Sequence, residues 1–214
     1  MTFVSAASLR SLSALLVAGA LAACTATAAD DAATGATDTT TVVAMDAAAE
    51  QDAFWKSLEG LCGSAYQGRL AQGGASDSTF RTAALVMHVR ECSADTIRIP
   101  FHVGDDRSRT WVITRTADGL RLKHDHRHED GTEDTITQYG GDSRAGTTEW
   151  QDFAADTHTA QLIPAASTNV WTVEVVPGER FAYALRREGT DRRFRVEFDL
   201  TQPVPVPPAP WGAE

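Results

Sequence analysis

The chain has 214 residues, of which 43% are apolar, 22% charged and 7% aromatic, enough for one well-cored domain and little beyond it. Lys and Arg number 19 against 29 Asp and Glu, a formal net charge of -10 at pH 7. That balance excludes the basic footprint that binding to a phosphate backbone needs, so nucleic acid is not an expected partner.

Arg10 is the only basic side chain before Lys56, and an apolar run over residues 12–22 follows it. The run is short for a bilayer span and has the length of a signal-peptide core, so residues 1–23 are expected to be an address that is removed. It closes on Leu21-Ala22-Ala23-Cys24, which resembles the lipobox of bacterial lipoproteins. An ordinary secretory signal with an A-x-A-like cleavage site is the other reading of these residues. The resemblance implies that Cys24 becomes a lipidated first residue, which attaches the protein to a membrane by acyl chains alone. Thr25 rather than Asp after the cysteine implies, by the same resemblance, sorting to the outer membrane of a bacterial cell envelope.

Residues 24–50 are read as a tether. Positions 25–50 hold ten Ala, seven Thr, four Asp and one Glu without a Lys, Arg or aromatic residue, too little apolar surface to offset the entropy of ordering. An Ala-rich helix from about Val42 is the alternative. From Gln51 the spacing of Phe54, Trp55, Leu58 and Leu61 predicts one face of a short helix, stopped by Gly60 and Gly63.

Period-two patterns then predict strands over residues 65–70, 84–92, 96–103, 110–116, 120–128, 135–139, 147–153, 170–176, 181–186 and 194–200. Their separators are turn chemistry, such as Asp118-Gly119, Asp130-Gly131, Gly140-Gly141-Asp142 and Pro177-Gly178. Short loops make sequence neighbours antiparallel, so the expected fold is all-β. About ten strands in a meander form an up-and-down barrel behind a short N-terminal helix, with residues 51–204 as the domain. Residues 205–214 form a Pro-rich tail that lies over the surface or hangs free.

With Cys24 assigned to lipid, Cys62 and Cys92 remain as a pair, and an oxidising compartment makes a disulfide between them the default. The main chemical constellation is His124-Asp125-His126-Arg127-His128, where alternation places three imidazoles on the face that also carries Leu120 and Leu122. A turn at Asp118-Gly119 would set Ile113 opposite His124 and Trp111 opposite His126, on the face of Arg115. Three readings follow. The imidazoles form a satisfied polar stripe bonded to Thr135, Thr137 and nearby acids. Alternatively, Trp111, Arg115, His124 and His126 line the rim of a pocket for a small anionic or amphipathic ligand. In the third, His124, His126, His128 and Glu133 hold a transition metal such as zinc.

His126-x-His128-x₄-Glu133-x₆-Gly140 resembles the first cupin motif, which implies metal binding by the His and Glu positions. The opening helix, Leu58-Glu59-Gly60-Leu61-Cys62-Gly63 and the long meander behind it resemble the lipocalin and calycin superfamily, which implies a barrel holding small hydrophobic ligands. No G-x-S-x-G elbow, H-E-x-x-H helix, Walker loop or dinucleotide fingerprint occurs in the sequence. The expected function is therefore non-catalytic binding of a small ligand by an envelope lipoprotein. A cupin-like metal protein or enzyme and a protein-interaction module are the alternatives.

Overall fold

The computed structural model describes residues 39–213, with side chains from Asp46 onward. The signal segment, Cys24 and the first part of the expected tether lie outside the described residues. Helix α1 (Thr39–Glu59) begins inside the stretch read as tether, following the Ala-rich alternative. Its Phe54, Trp55 and Leu58 are fully buried, on the face that the spacing predicts.

Eleven strands follow among the described residues: β1 (Ala65–Gln72), β2 (Leu85–His88), β3 (Glu91–Cys92), β4 (Thr96–Val103), β5 (Asp106–Thr116), β6 (Gly119–His126), β7 (Tyr139–Gly146), β8 (Trp150–Ala154), β9 (Asn169–Val176), β10 (Arg180–Arg187) and β11 (Arg193–Val204). Sequence neighbours pair antiparallel from β4 through β11, and β1 joins β11 to β2. The pairing of β2 with β4 closes the ring, and the two-residue β3 continues the line of β2 along β4. The result is a closed up-and-down barrel of calycin-like layout, which leaves no long unpaired edge. Two short helices interrupt the meander, α2 (Ser78–Thr82) between β1 and β2 and α3 (Thr157–Leu162) between β8 and β9.

Helix α1 packs at one end of the barrel, where Gln51 donates to Ser143 Oγ at 3.0 Å and Arg115 pairs with Asp52 at 2.5 Å. The adjoining half of the interior is filled by Ile97, Ile99, Ile113, Leu122, Val173 and Val175, none more than 1% exposed. Each such burial contributes about 1.5–3 kcal/mol. Cys62 and Cys92 form the expected disulfide, tying the end of the helix segment to β3. The tail lies over the surface: Arg107 donates to the Ala209 carbonyl, Arg90 to that of Ala213, and Pro210 is buried. No helix among the described residues is long and apolar enough to cross a membrane.

Two local expectations are corrected. The hairpin between β5 and β6 turns at Ala117-Asp118, one residue early, so Trp111 pairs with His124 and Arg109 with His126. A two-residue shift in partner keeps every side chain on its face, so the inward set survives the error. The strand expected over residues 135–139 is instead loop as far as Gln138, and Gly140-Gly141 lies in β7, which begins at Tyr139, rather than in a turn. A Cβ on Gly140 would lie 2.0 Å from the Leu122 carbonyl oxygen and one on Gly141 1.7 Å from that of Ala154. These glycines mark close backbone approach, which sequence patterns do not separate from turns.

Candidate functional site

The end of the barrel away from α1 holds a partly open cavity of about 420 Å³, within the range of small-molecule sites. Strand alternation builds its walls. Trp111 from β5, Trp171 from β9 and Tyr183 from β10 all point inward, because each shares a face with buried Ile113, Val173 and Phe181 respectively. Trp111 stacks on Tyr183 at 4.5 Å between ring centroids and on Phe101 at 4.8 Å, and His124 stacks on Tyr139 at 4.4 Å. Helix α2 covers part of the mouth through Phe80, which meets Phe194 edge-on at 5.0 Å.

His124, Tyr183, Tyr139 and His126 are joined by hydrogen bonds. His124 Nδ1 lies 3.0 Å from the Tyr139 carbonyl oxygen, and since a carbonyl only accepts, Nδ1 carries the proton. His124 Nε2 then accepts from the Tyr183 hydroxyl at 2.7 Å. Burial pushes the His124 imidazole down to about 3 and holds Tyr183 well above its ordinary phenol value, so both are neutral. The Tyr139 hydroxyl is 3.1 Å from His126 Nε2, and burial pushes that phenol up to about 12. His126, nearer solvent, is lowered first by burial and then by the charge of Arg109.

Charge is confined to the mouth. Arg192 grips Asp77 with two bonds of 2.6 and 2.7 Å, linking the β10–β11 turn to the segment before α2. Arg109 pairs with Asp106 at 2.5 Å. Arg187 differs: its Nε donates to Oδ1 of the buried Asn169, its cross-strand neighbour, at 2.9 Å. Among the described residues no carboxylate pairs with it. Asp134 faces the cavity from the β6–β7 loop, and its carboxyl is held below the usual range chiefly by the Ile136 N–H.

Of the residues the sequence nominated for ligand contact, Trp111, His124 and His126 meet in this cavity. Arg115 lies at the α1 end, paired with Asp52 and placed over the Trp55 ring at 4.7 Å. The expected metal site is overturned: among the described residues no group of three or more His, Cys, Asp or Glu can hold an ion. The reason is local. β6 ends at His126, the turn at Gly131 (φ +84°) leaves His128 exposed, and Glu133 is engaged by Arg127 on the exposed side at 3.2 Å. Both His124 nitrogens are already bonded. The zinc assignment and the cupin-like chemistry attached to it therefore fall.

Sequence reasoning did not nominate Tyr139, Trp171, Tyr183, Asn169 or Arg187. Alternation from Val173 and Phe181 points Trp171 and Tyr183 inward, and this signal was readable. The position of Tyr139 depends on the irregular loop before it, where Gln138 adopts φ 57° and donates its N–H to the His124 carbonyl. No family model, curated protein or solved structure matches the chain.

Proposed function

We propose that this protein is a lipid-anchored cell-envelope carrier or sensor that binds a small ligand in the mouth half of its barrel, without catalysis. The observation that supports this reading most strongly is an aromatic-walled cavity of about 420 Å³ in which both nitrogens of the buried His124 are already paired. Such a surface offers shape and dispersion, and a ligand entering it displaces water from apolar walls. Trp111, His124 and His126 are the sequence-nominated contacts in this proposal. The Leu21-Ala22-Ala23-Cys24 motif supports attachment through Cys24, with the outer membrane as the destination.

N-phenyl-1-naphthylamine, a neutral dye that brightens on leaving water, tests the cavity. Saturable binding near one equivalent per chain is expected, with loss in a Leu185→Trp variant that fills the space while keeping the wild-type circular dichroism spectrum. Absence of binding, or equal binding by the filled variant, contradicts the proposal. For the anchor, the full chain should partition into detergent and its Cys24→Ser variant into water. Equal partitioning removes the lipid assignment.

A further inference from the structure

We infer that the cavity selects amphipathic organic acids: an aromatic or conjugated body occupies the aromatic walls while its carboxylate is held at the mouth by Arg187. This rests on the small-ligand reading above and names the ligand class.

The division of polarity with depth carries the argument. Inside, His124, Tyr183 and the Tyr139 carbonyl are hydrogen-bonded to one another, so a polar group set against them finds no open partner in this set. Desolvating such a group without a partner is costly, which restricts the inner part of the ligand to apolar or π surface. The aromatic lining favours an aromatic or conjugated body over an aliphatic one, Trp111 itself being stacked between Tyr183 and Phe101 with interplanar angles of 21° and 17°.

At the mouth the three cavity arginines are not equivalent. Arg192 is neutralised by Asp77 and Arg109 by Asp106. Arg187 is oriented by a neutral amide, Asn169, which fixes the guanidinium through Nε without cancelling its charge. Its two Nη groups have no protein partner among the described residues. A guanidinium oriented through Nε and free at Nη suits bidentate capture of a carboxylate. The opposing charge is Asp134 in the β6–β7 loop, where the Ile136 N–H and the Thr135 hydroxyl already bind its Oδ1.

A matched trio decides the charge preference: 2-naphthoate, 2-naphthylmethanol and 2-naphthylmethylamine compete for bound N-phenyl-1-naphthylamine in wild type and Arg187→Gln. In wild type the naphthoate should displace the dye about tenfold more tightly than the alcohol, the advantage of a charge-assisted pair. Arg187→Gln should remove that advantage and leave the alcohol unchanged. Equal affinity of acid and alcohol, an acid preference that survives Arg187→Gln, or tightest binding of the amine overturns the inference while dye binding leaves the cavity reading standing. Failure of the dye itself to bind defeats both.

Discussion

His124 and Tyr183 face each other inside the barrel with Nε2 and hydroxyl 2.7 Å apart, the imidazole accepting and the phenol donating. Because burial drives His124 down to about 3, its ring is neutral when folded and becomes protonated near pH 6.5 when unfolded. Between those values the unfolded chain binds the extra proton, so stability is lost as pH falls, by about 1.4 kcal/mol per unit for this group. His88, His102 and His126 are lowered too, each chiefly by burial, and act with the same sign. Urea denaturation should therefore give a protein at least about 2 kcal/mol less stable at pH 5 than at pH 7. The double variant His124→Phe/Tyr183→Phe should show a shallower slope over that interval. An unchanged slope would show that His124 is not buried neutral.

Gly140 and Gly141 are predicted to tolerate no side chain. Gly141→Ala drives a methyl into the Ala154 carbonyl, and Gly140→Ala adds strain at φ +147° to a collision with that of Leu122. Each should cost about 3 kcal/mol or more in chemical denaturation, whereas Gly178→Ala, strained at φ +71° but with open space around it, should cost about 1–2. Similar losses at all three positions would contradict close packing of β6, β7 and the end of β8.

The clasp between Asp77 and Arg192 holds the segment before α2 over the cavity. The Asp77 side chain is only 5% exposed and also accepts from the Gly74 N–H. Asp77→Ala should destabilise the protein by about 2–4 kcal/mol, since it strands a guanidinium and an amide. Amide hydrogen exchange should accelerate over residues 74–82 more than in β9 and β10. Uniform acceleration would mean that the clasp supports the whole barrel rather than its lid.

Reduction or replacement of Cys62 and Cys92 opens a link between positions 30 residues apart in sequence. A Cys62→Ser/Cys92→Ser protein should lose about 3.5 kcal/mol in the chain-entropy account while keeping its β-type circular dichroism. A loss below about 1 kcal/mol would mean that the unfolded chain gains little freedom from the opening.

The barrel was legible because alternation in β4, β5, β6 and β9–β11 is regular and their loops are short. Trp111, His124 and His126 were legible for the same reason, and the wrong turn position did no harm because it moved partners by two. What failed lies where backbone geometry departs from the repeat. His128 sits one step beyond the end of β6, so extending the alternation past His126 produced a metal site that the turn at Gly131 disperses. Arg115 shares a face with Trp111 but stands four residues nearer the α1 end, and a face assignment carries no depth. Arg187 carries no signal of its own in the sequence. Only its cross-strand neighbour Asn169 distinguishes it, and that pairing needs the register of β9 and β10.

The indole N–H resonances of the five tryptophans test the central claim most directly, because two of them line the cavity and three do not. Titration with 2-naphthoate should shift the signals of Trp111 and Trp171 along one saturation curve and leave those of Trp55, Trp150 and Trp211 in place. Shifts confined to the latter three, or none at all at millimolar ligand, would contradict a ligand site in the mouth of the barrel.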